Sequence, residues 1–100
     1  MNLEIKGIHY EVAERTIEQI EKKVKKIDFA SDMIMDLLFK IEREKGLYVI
    51  SSNINFRWGL NHHIKVKNND LYDGIDQIID KIKNKVAKEK EKIQEHSEKV

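Results

Sequence analysis

The sequence predicts an α+β fold with the element order βαβββα, in which two helices pack on one face of a four-stranded sheet. Three observations support this prediction. Apolar and polar residues alternate in four segments, whereas apolar residues recur every three or four positions in two others. Short turn segments join the last three strands into a meander. Two amphipathic helices and a half-apolar sheet bury most apolar surface when both helices cover the same sheet face.

The first strand and the first helix are predicted within residues 2–28. Residues 2–8 alternate, with Leu3 and Ile5 on one side, until Gly7 interrupts the pattern. A helical pattern then starts at Ala13 and ends near Asp28. Its apolar stripe consists of Ile17, Ile20, Val24 and Ile27.

The next three strands form the predicted meander. Residues 33–41 alternate, the segment EREKG turns the chain at Gly46, and the segment RWGL joins the third strand to the fourth. The predicted inward residues are Met33, Met35, Leu37, Phe39, Ile41, Tyr48, Ile50, Ile54, Phe56, Trp58, Leu60, His62, Ile64 and Val66. The opposite face carries Asn53, Asn55, Arg57, Asn61, His63, Lys65 and Lys67. One sheet face is therefore apolar, and the other is polar and basic.

The second helix follows the segment NND, which is rich in helix-capping side chains. Its apolar stripe consists of Leu71, Ile75, Ile78, Ile82 and Val86. We expect this helix to continue past Lys90, residues 1–95 to form a single domain, and residues 96–100 to form a disordered tail.

The composition narrows the class of protein. One hundred residues with 37% charged side chains indicate one soluble domain with an ionic surface. The chain has no cysteine, and its N-terminus has no signal-peptide pattern. No apolar stretch approaches the roughly 20 residues that span a bilayer. We expect a cytoplasmic protein without a membrane partner.

Charge is sorted along the chain although the formal net charge is only +1. Residues 70–80 contain four aspartates and no base, whereas residues 81–92 contain six lysines and two glutamates. Residues 21–26 contain four lysines and one glutamate, and residues 45–67 contain four bases and no acid. The sequence therefore predicts three basic patches.

Helical geometry places the lysines in rows. At about 100° per residue, four lysines of the second helix lie in one stripe beside the apolar face, without an interleaved acid. They are Lys81, Lys85, Lys88 and Lys92, with Lys83 and Lys90 on the other flank. The first helix carries a row of Arg15, Gln19, Lys22 and Lys26. Solvated lysines that complement the helix dipole would give the same pattern, so phosphate binding and a merely solvated face both remain open.

Metal binding and catalysis are disfavoured. His62 and His63 are neighbours on a strand, so their side chains point to opposite faces. The pattern brings together neither a nucleophilic set nor a glycine-rich phosphate loop. Trp58 and Tyr72 fit core or core-edge aromatics better than stacking platforms. We expect no enzyme, no metal, no cofactor and no small-molecule substrate.

The segments NLEIKGIHYEV, EQIEKKVKKI and NDLYDGIDQIIDKIKNKVAKEKEKI resemble the bacterial ribosome hibernation factors, the hibernation-promoting factor and protein Y family. The likeness covers nearly the whole chain, and the core LYDGIDQIIDKI is its most specific part. It implies a short-form protein that binds the small ribosomal subunit in the cleft for messenger RNA and tRNA. Occupation of that cleft blocks translation.

The resemblance also implies which lysines bind rRNA phosphates. The family's basic positions correspond to Lys23, Lys26, Lys81, Lys88, Lys90 and Lys92. The stripe argument adds Lys22 and Lys85, and Arg57, Lys65 and Lys67 form a secondary basic patch. Three positions depart from the family pattern, namely Ala13 in place of a threonine cap, Asn84 in place of an arginine, and Glu89 in place of a frequent base. A free double-stranded RNA-binding domain and a small protein-interaction domain are the two alternatives.

Overall fold

Four strands and two helices follow one another in the predicted order, which confirms the α+β fold class. The computed structural model describes the backbone of residues 1–98 and the side chains of residues 1–93. The elements are β1 (Asn2–Gly7), α1 (Glu14–Val24), a 3₁₀ segment (Lys25–Met33), β2 (Ile34–Glu44), β3 (Leu47–Phe56), β4 (Asn61–Asn68) and α2 (Leu71–Glu98). Helix α2 thus continues beyond residue 95. The last two residues of the expected tail lie outside the described residues.

The strands are arranged in the order β1-β2-β3-β4, so β1 and β4 form the two edges of the sheet. Strand β1 runs parallel to β2, with Asn2 beside Asp36, and β2, β3 and β4 form an antiparallel meander. The β2–β3 turn places Lys45 at φ 49° and Gly46 at φ 81°. Positive φ at both central residues suits a two-residue hairpin, because that backbone twist matches the strands.

Both helices cover the same face of the sheet, as predicted. Ile20 of α1 and Ile82 of α2 are fully buried in one core with the inward side chains of the strands. Helix α2 passes very close to the sheet at Gly74, where a Cβ atom would lie 2.7 Å from Ile50 Cδ1. The second helix is therefore held over β3 and β4, which fixes the direction of its two flanks.

The helix ends differ in how they are capped. The backbone N–H of Asp73 donates to Asp70 Oδ1 at 3.0 Å, so Asp70 caps α2 as the sequence predicted. At Ala13 no side-chain cap supports α1. The α-helical part ends at Val24 instead of continuing to Asp28, and the chain goes on as the 3₁₀ segment. Lys26 consequently belongs to that segment and not to α1.

Two inward assignments were wrong. A β-bulge between Ile34 and Asp36 shifts the alternation of β2, so Ile34 is buried and Met35 is 50% exposed. Strand β3 ends at Phe56, and Trp58 lies in the turn that follows. Trp58 is 47% exposed, hence it is a surface residue and not part of the core.

Candidate nucleic-acid interface

Helix α2 and the free edge of β4 enclose a groove with cationic walls. The α2 stripe faces β4, because the buried side of α2 is fixed by Ile82 and its neighbours on the sheet. The groove has a volume of about 390 Å³. Its lining residues are His62, His63, Ile64, Lys65, Lys81, Asn84, Lys85 and Lys88. Four lysines and no carboxylate line it, so the groove attracts anions.

Lys81 and Lys88 are the available cations that α2 contributes to this groove. Both residues are exposed, and neither forms an ion pair among residues 1–93. Burial and the nearby Lys85 charge lower the pKa of His62, although Glu89 opposes them. The histidine therefore stays neutral to a lower pH than usual, and the lysines carry the charge of the groove.

A buried glutamate holds the other two lysines of the stripe. The Lys85 and Lys92 ammonium groups lie 3.1 Å and 3.4 Å from Glu89 Oε1, and the Glu89 side chain is only 8% exposed. Burial alone raises the pKa of Glu89, but the hydrogen bonds and charges of the two lysines lower it below its ordinary value. Glu89 lies on the buried side of α2 next to the stripe, so an acid outside the row pairs two of its four lysines.

The lysines of α1 and the 3₁₀ segment face solvent on the other side of α2. Lys22 and Lys26 are exposed. Lys23 is only 25% exposed, and its ammonium group lies 3.2 Å from Asp76 Oδ1 of α2. Because Lys23 ties the two helices together, Lys22 and Lys26 are the freer cations of this second row.

Lys90 has a structural contact of its own. Its ammonium group donates to the Phe29 carbonyl oxygen at 3.0 Å and lies 5.5 Å from the centre of the Phe29 ring. These contacts connect α2 to the 3₁₀ segment. The lysines predicted as one binding set are thus divided between two flanks of α2, and three lie within 4 Å of an acid.

The predicted secondary patch does not form a single cluster. Lys65 and Lys67 lie on the open sheet face of β4. Arg57 lies in the β3–β4 turn, and its guanidinium donates to the Asp32 carbonyl oxygen of the 3₁₀ segment. Sequence reasoning missed two further cations on the open face, Lys6 and Lys40. The strand register places Lys6, Lys40, Ser51 and Lys65 in one row across the sheet. Only the register, and not the local pattern, could reveal that row.

A sequence model of the family described as Sigma 54 modulation protein / S30EA ribosomal protein matches residues 3–94. The chain belongs to this family. An S30EA-family relative from Escherichia coli strain K12, named ribosome hibernation promoting factor, is 27% identical over 96 residues. That alignment covers 96% of this chain and 100% of the relative. The protein of the same name from Salmonella typhimurium is 25% identical over 96 residues.

Two solved structures share the fold of this S30EA-family chain. A ribosomal subunit interface protein from Coxiella burnetii matches with a TM-score of 0.83 and 20% identity, over 90% of this chain and 98% of that one. The Protein Y N-terminal domain from Thermus thermophilus matches with a TM-score of 0.75 and 20% identity, over 86% and 96%. The family resemblance seen in the sequence is confirmed.

The described residues also bear on two other kinds of site. Within residues 1–98, neither helix combines the length and the apolar character of a membrane-crossing segment. Among residues 1–93, whose side chains the structure describes, no three metal-ligating side chains come together.

Proposed function

We propose that this protein is a non-enzymatic ribosome hibernation factor that occupies the messenger RNA and tRNA cleft of the small subunit and thereby inhibits translation. The observation that carries the proposal is the acid-free groove of four lysines between α2 and β4 in an S30EA-family chain. The name of the Escherichia coli relative supports the assignment to hibernation. The partner we assign is rRNA of the small subunit in the cytoplasm.

The lysines take different parts in this proposal. Lys81 and Lys88 are the main phosphate-binding residues, because both are exposed and lack an acidic partner among residues 1–93. Lys22 and Lys26 do the same on the other side of α2. An ammonium group acts on a phosphate as a compact point charge with three donors, so these contacts bring affinity and little base specificity.

The remaining predicted lysines contribute less. Lys85 and Lys92 share their charge with Glu89, Lys23 shares its charge with Asp76, and Lys90 is held at Phe29. Lys65 extends the groove onto the sheet, where Lys67 follows it. Arg57 belongs to the separate turn site.

Binding to purified small subunits over a salt series tests the proposal. About six phosphate contacts predict a log-log slope of affinity against salt of roughly −4 to −6. Subunits loaded with messenger RNA and initiator tRNA should exclude the protein, whereas empty subunits should bind it. Equal affinity for loaded and empty subunits would refute occupation of the cleft.

The same measurements distinguish the two alternatives. A free double-stranded RNA-binding domain would bind an isolated RNA duplex as tightly as it binds subunits. A protein-interaction domain would show binding that hardly depends on salt, because it would neutralise few phosphates.

A further inference from the structure

Trp58 presents an aromatic surface at the end of the α2 lysine stripe. The Trp58 ring stacks on Phe56, with the ring centres 5.0 Å apart and an angle of 28° between the planes. Phe56 is 1% exposed, whereas Trp58 is 47% exposed. One ring face is therefore packed on the core, and the opposite face reaches solvent.

The turn that carries Trp58 is held in place by backbone contacts. The Phe56 N–H donates to the Leu60 carbonyl oxygen at 2.8 Å, and the Gly59 N–H donates back to the Phe56 carbonyl oxygen at 3.1 Å. The Arg57 N–H donates to the Met33 carbonyl oxygen at 3.0 Å. A ring that is stacked on the core and carried by a fixed turn loses little freedom when a second ring packs on it.

The open side of Trp58 lies beside one lysine, one glutamate and one isoleucine of α2, with two further cations nearby. Trp58, Glu89, Lys92 and Ile93 line one shallow groove, and the Lys92 side chain is 68% exposed. Arg57 is exposed beside it and uses its Nε–H on the Asp32 carbonyl oxygen, which leaves other guanidinium donors for a ligand. Lys88 lies one helical turn from Lys92 along the stripe. A flat aromatic surface next to several cations suits a nucleotide, whose base stacks while its phosphates meet the cations.

We propose that Trp58 is a stacking platform for an unpaired base of RNA, with the adjoining phosphates on Lys88 and Lys92. This inference rests on the proposed rRNA binding and specifies one contact within it. A duplex hides its base faces, whereas a single-stranded or flipped nucleotide exposes them. The groove itself holds one lysine and one glutamate, and the exposed Arg57 and Lys88 nearby add the positive charge that favours this occupant over an apolar protein segment.

Fluorescence tests the stacking directly, because Trp58 is the only tryptophan of the chain. The protein should be titrated at low salt with a labelled single-stranded 12-mer RNA and with its duplex, and binding should be followed independently by anisotropy of the label. We expect the single strand to quench Trp58 emission and the duplex to leave it unchanged. Binding of the single strand without quenching, or no binding at all, would overturn the inference.

Binding of Trp58 variants to small subunits tests whether this contact is used on the ribosome. Trp58→Leu should weaken binding to small subunits by about 5- to 150-fold, the range expected for the loss of one stacked base, and leave the salt slope unchanged. Trp58→Phe keeps a stacking ring and should retain most of the affinity. The matched control is Leu47→Ala, since Leu47 is 38% exposed at the opposite end of β3. Melting followed by circular dichroism verifies that each variant folds.

The outcomes separate this inference from the proposed function. If Trp58→Leu binds subunits as tightly as the unchanged protein, the stacking contact is refuted and cleft binding stands. If Trp58→Leu binds weakly but single-stranded RNA leaves Trp58 emission unchanged, the contact is with a ribosomal protein and the inference is again refuted. If the unchanged protein fails to bind subunits, the proposed function itself is wrong.

Discussion

Replacing Glu89 with glutamine should make the domain less stable and its RNA binding tighter. The Glu89 carboxylate is 8% exposed and accepts contacts from Lys85 at 3.1 Å and Lys92 at 3.4 Å. Glutamine has nearly the same shape but no charge. The substitution therefore removes the attraction within this cluster and releases two ammonium groups toward the groove.

The magnitude follows from the geometry of the cluster. Opposite charges about 3 Å apart attract by about 5 kcal/mol at an effective dielectric constant of about 20. Desolvation of the buried carboxylate offsets most of this attraction, and the exposed Lys92 contributes little because solvent screens it. We expect a net loss of about 1 to 2 kcal/mol in the free energy of unfolding. For a domain of this size, each kcal/mol lowers Tm by about 4 to 8 °C.

Acidification should reduce the difference between the two proteins. The pKa of Glu89 is lower in the folded protein than its ordinary value of 4.5, so its stabilisation is complete above that value. This stabilisation disappears as the pH falls through the lowered pKa, because the carboxyl group then becomes neutral. Urea denaturation should accordingly show a smaller gap at about pH 3 than at pH 7.

RNA binding should change in the opposite direction from stability. With Lys85 and Lys92 released, the salt slope for small subunits should become steeper by about 1 to 2, and affinity at low salt should rise. The matched control is Glu91→Gln, which changes the charge equally at an exposed position without an ion pair among residues 1–93. Unchanged stability would contradict the stabilising role of the cluster. Weaker binding by a folded Glu89→Gln variant would show that Glu89 positions the lysines for RNA and does not restrain them.

Three further predictions test the core, the groove and its histidine. Ile82→Ala should lower the free energy of unfolding in urea by about 2 to 5 kcal/mol, because Ile82 is fully buried; an unchanged value would contradict the packing of α2 on the sheet. Lys81→Gln with Lys88→Gln should reduce the salt slope for small subunits by about 2, whereas the distal control Lys45→Gln should not, and equal effects would remove the groove from the interface. Because burial and Lys85 lower the pKa of His62, the free energy of unfolding in urea should fall as the pH drops through about 6.5. His62→Gln should remove this part of the pH profile. An unaltered profile would contradict the burial of the ring.

Periodicity was sufficient to predict the elements and their layers. The alternation in β3 and β4 and the three-and-four spacing in α2 each depend on which side of a local element is buried, and a single sequence carries that information. Ile20, Ile54 and Ile82 lie in the core as their spacing predicted. The parallel pairing of β1 with β2 was outside such reasoning, because Asn2 and Asp36 meet through the tertiary fold and not through a local turn.

The local errors have physical causes as well. A bulge at Met35 reverses the alternation for one residue, and no turn residue marks it in the sequence. Trp58 lies two residues beyond the end of β3, so the period of two no longer applied to it. In both cases a regular pattern was extended past the point where the backbone changes.

The sequence predicted where the lysines of the candidate site lie, but not which of them are free of ion pairs. Helical spacing placed Lys81, Lys85 and Lys88 on one flank of α2, and the structure places them along one groove. Helical spacing could not show that Lys85 pairs with Glu89, because it places Glu89 on the apolar side of α2 but does not fix where its carboxylate points. The number of lysines without an acidic partner depends on these side-chain contacts. The flank of α2 on which each lysine lies depends only on helical spacing.

The two flanks of α2 restrict the shape of a partner that could use both of them. Lys81 and Lys88 face β4, whereas Lys83 and the α1 lysines lie on the other side, and Asp73 and Asp80 separate the rows along the crest of the helix. A flat polyanionic surface could touch one row only and would meet the aspartates as it approached the crest. Two phosphate walls on either side of the helix could touch both rows while the aspartates stayed in the open space between them. A partner that contacts both rows of lysines would therefore have to match α2 in width as well as in charge.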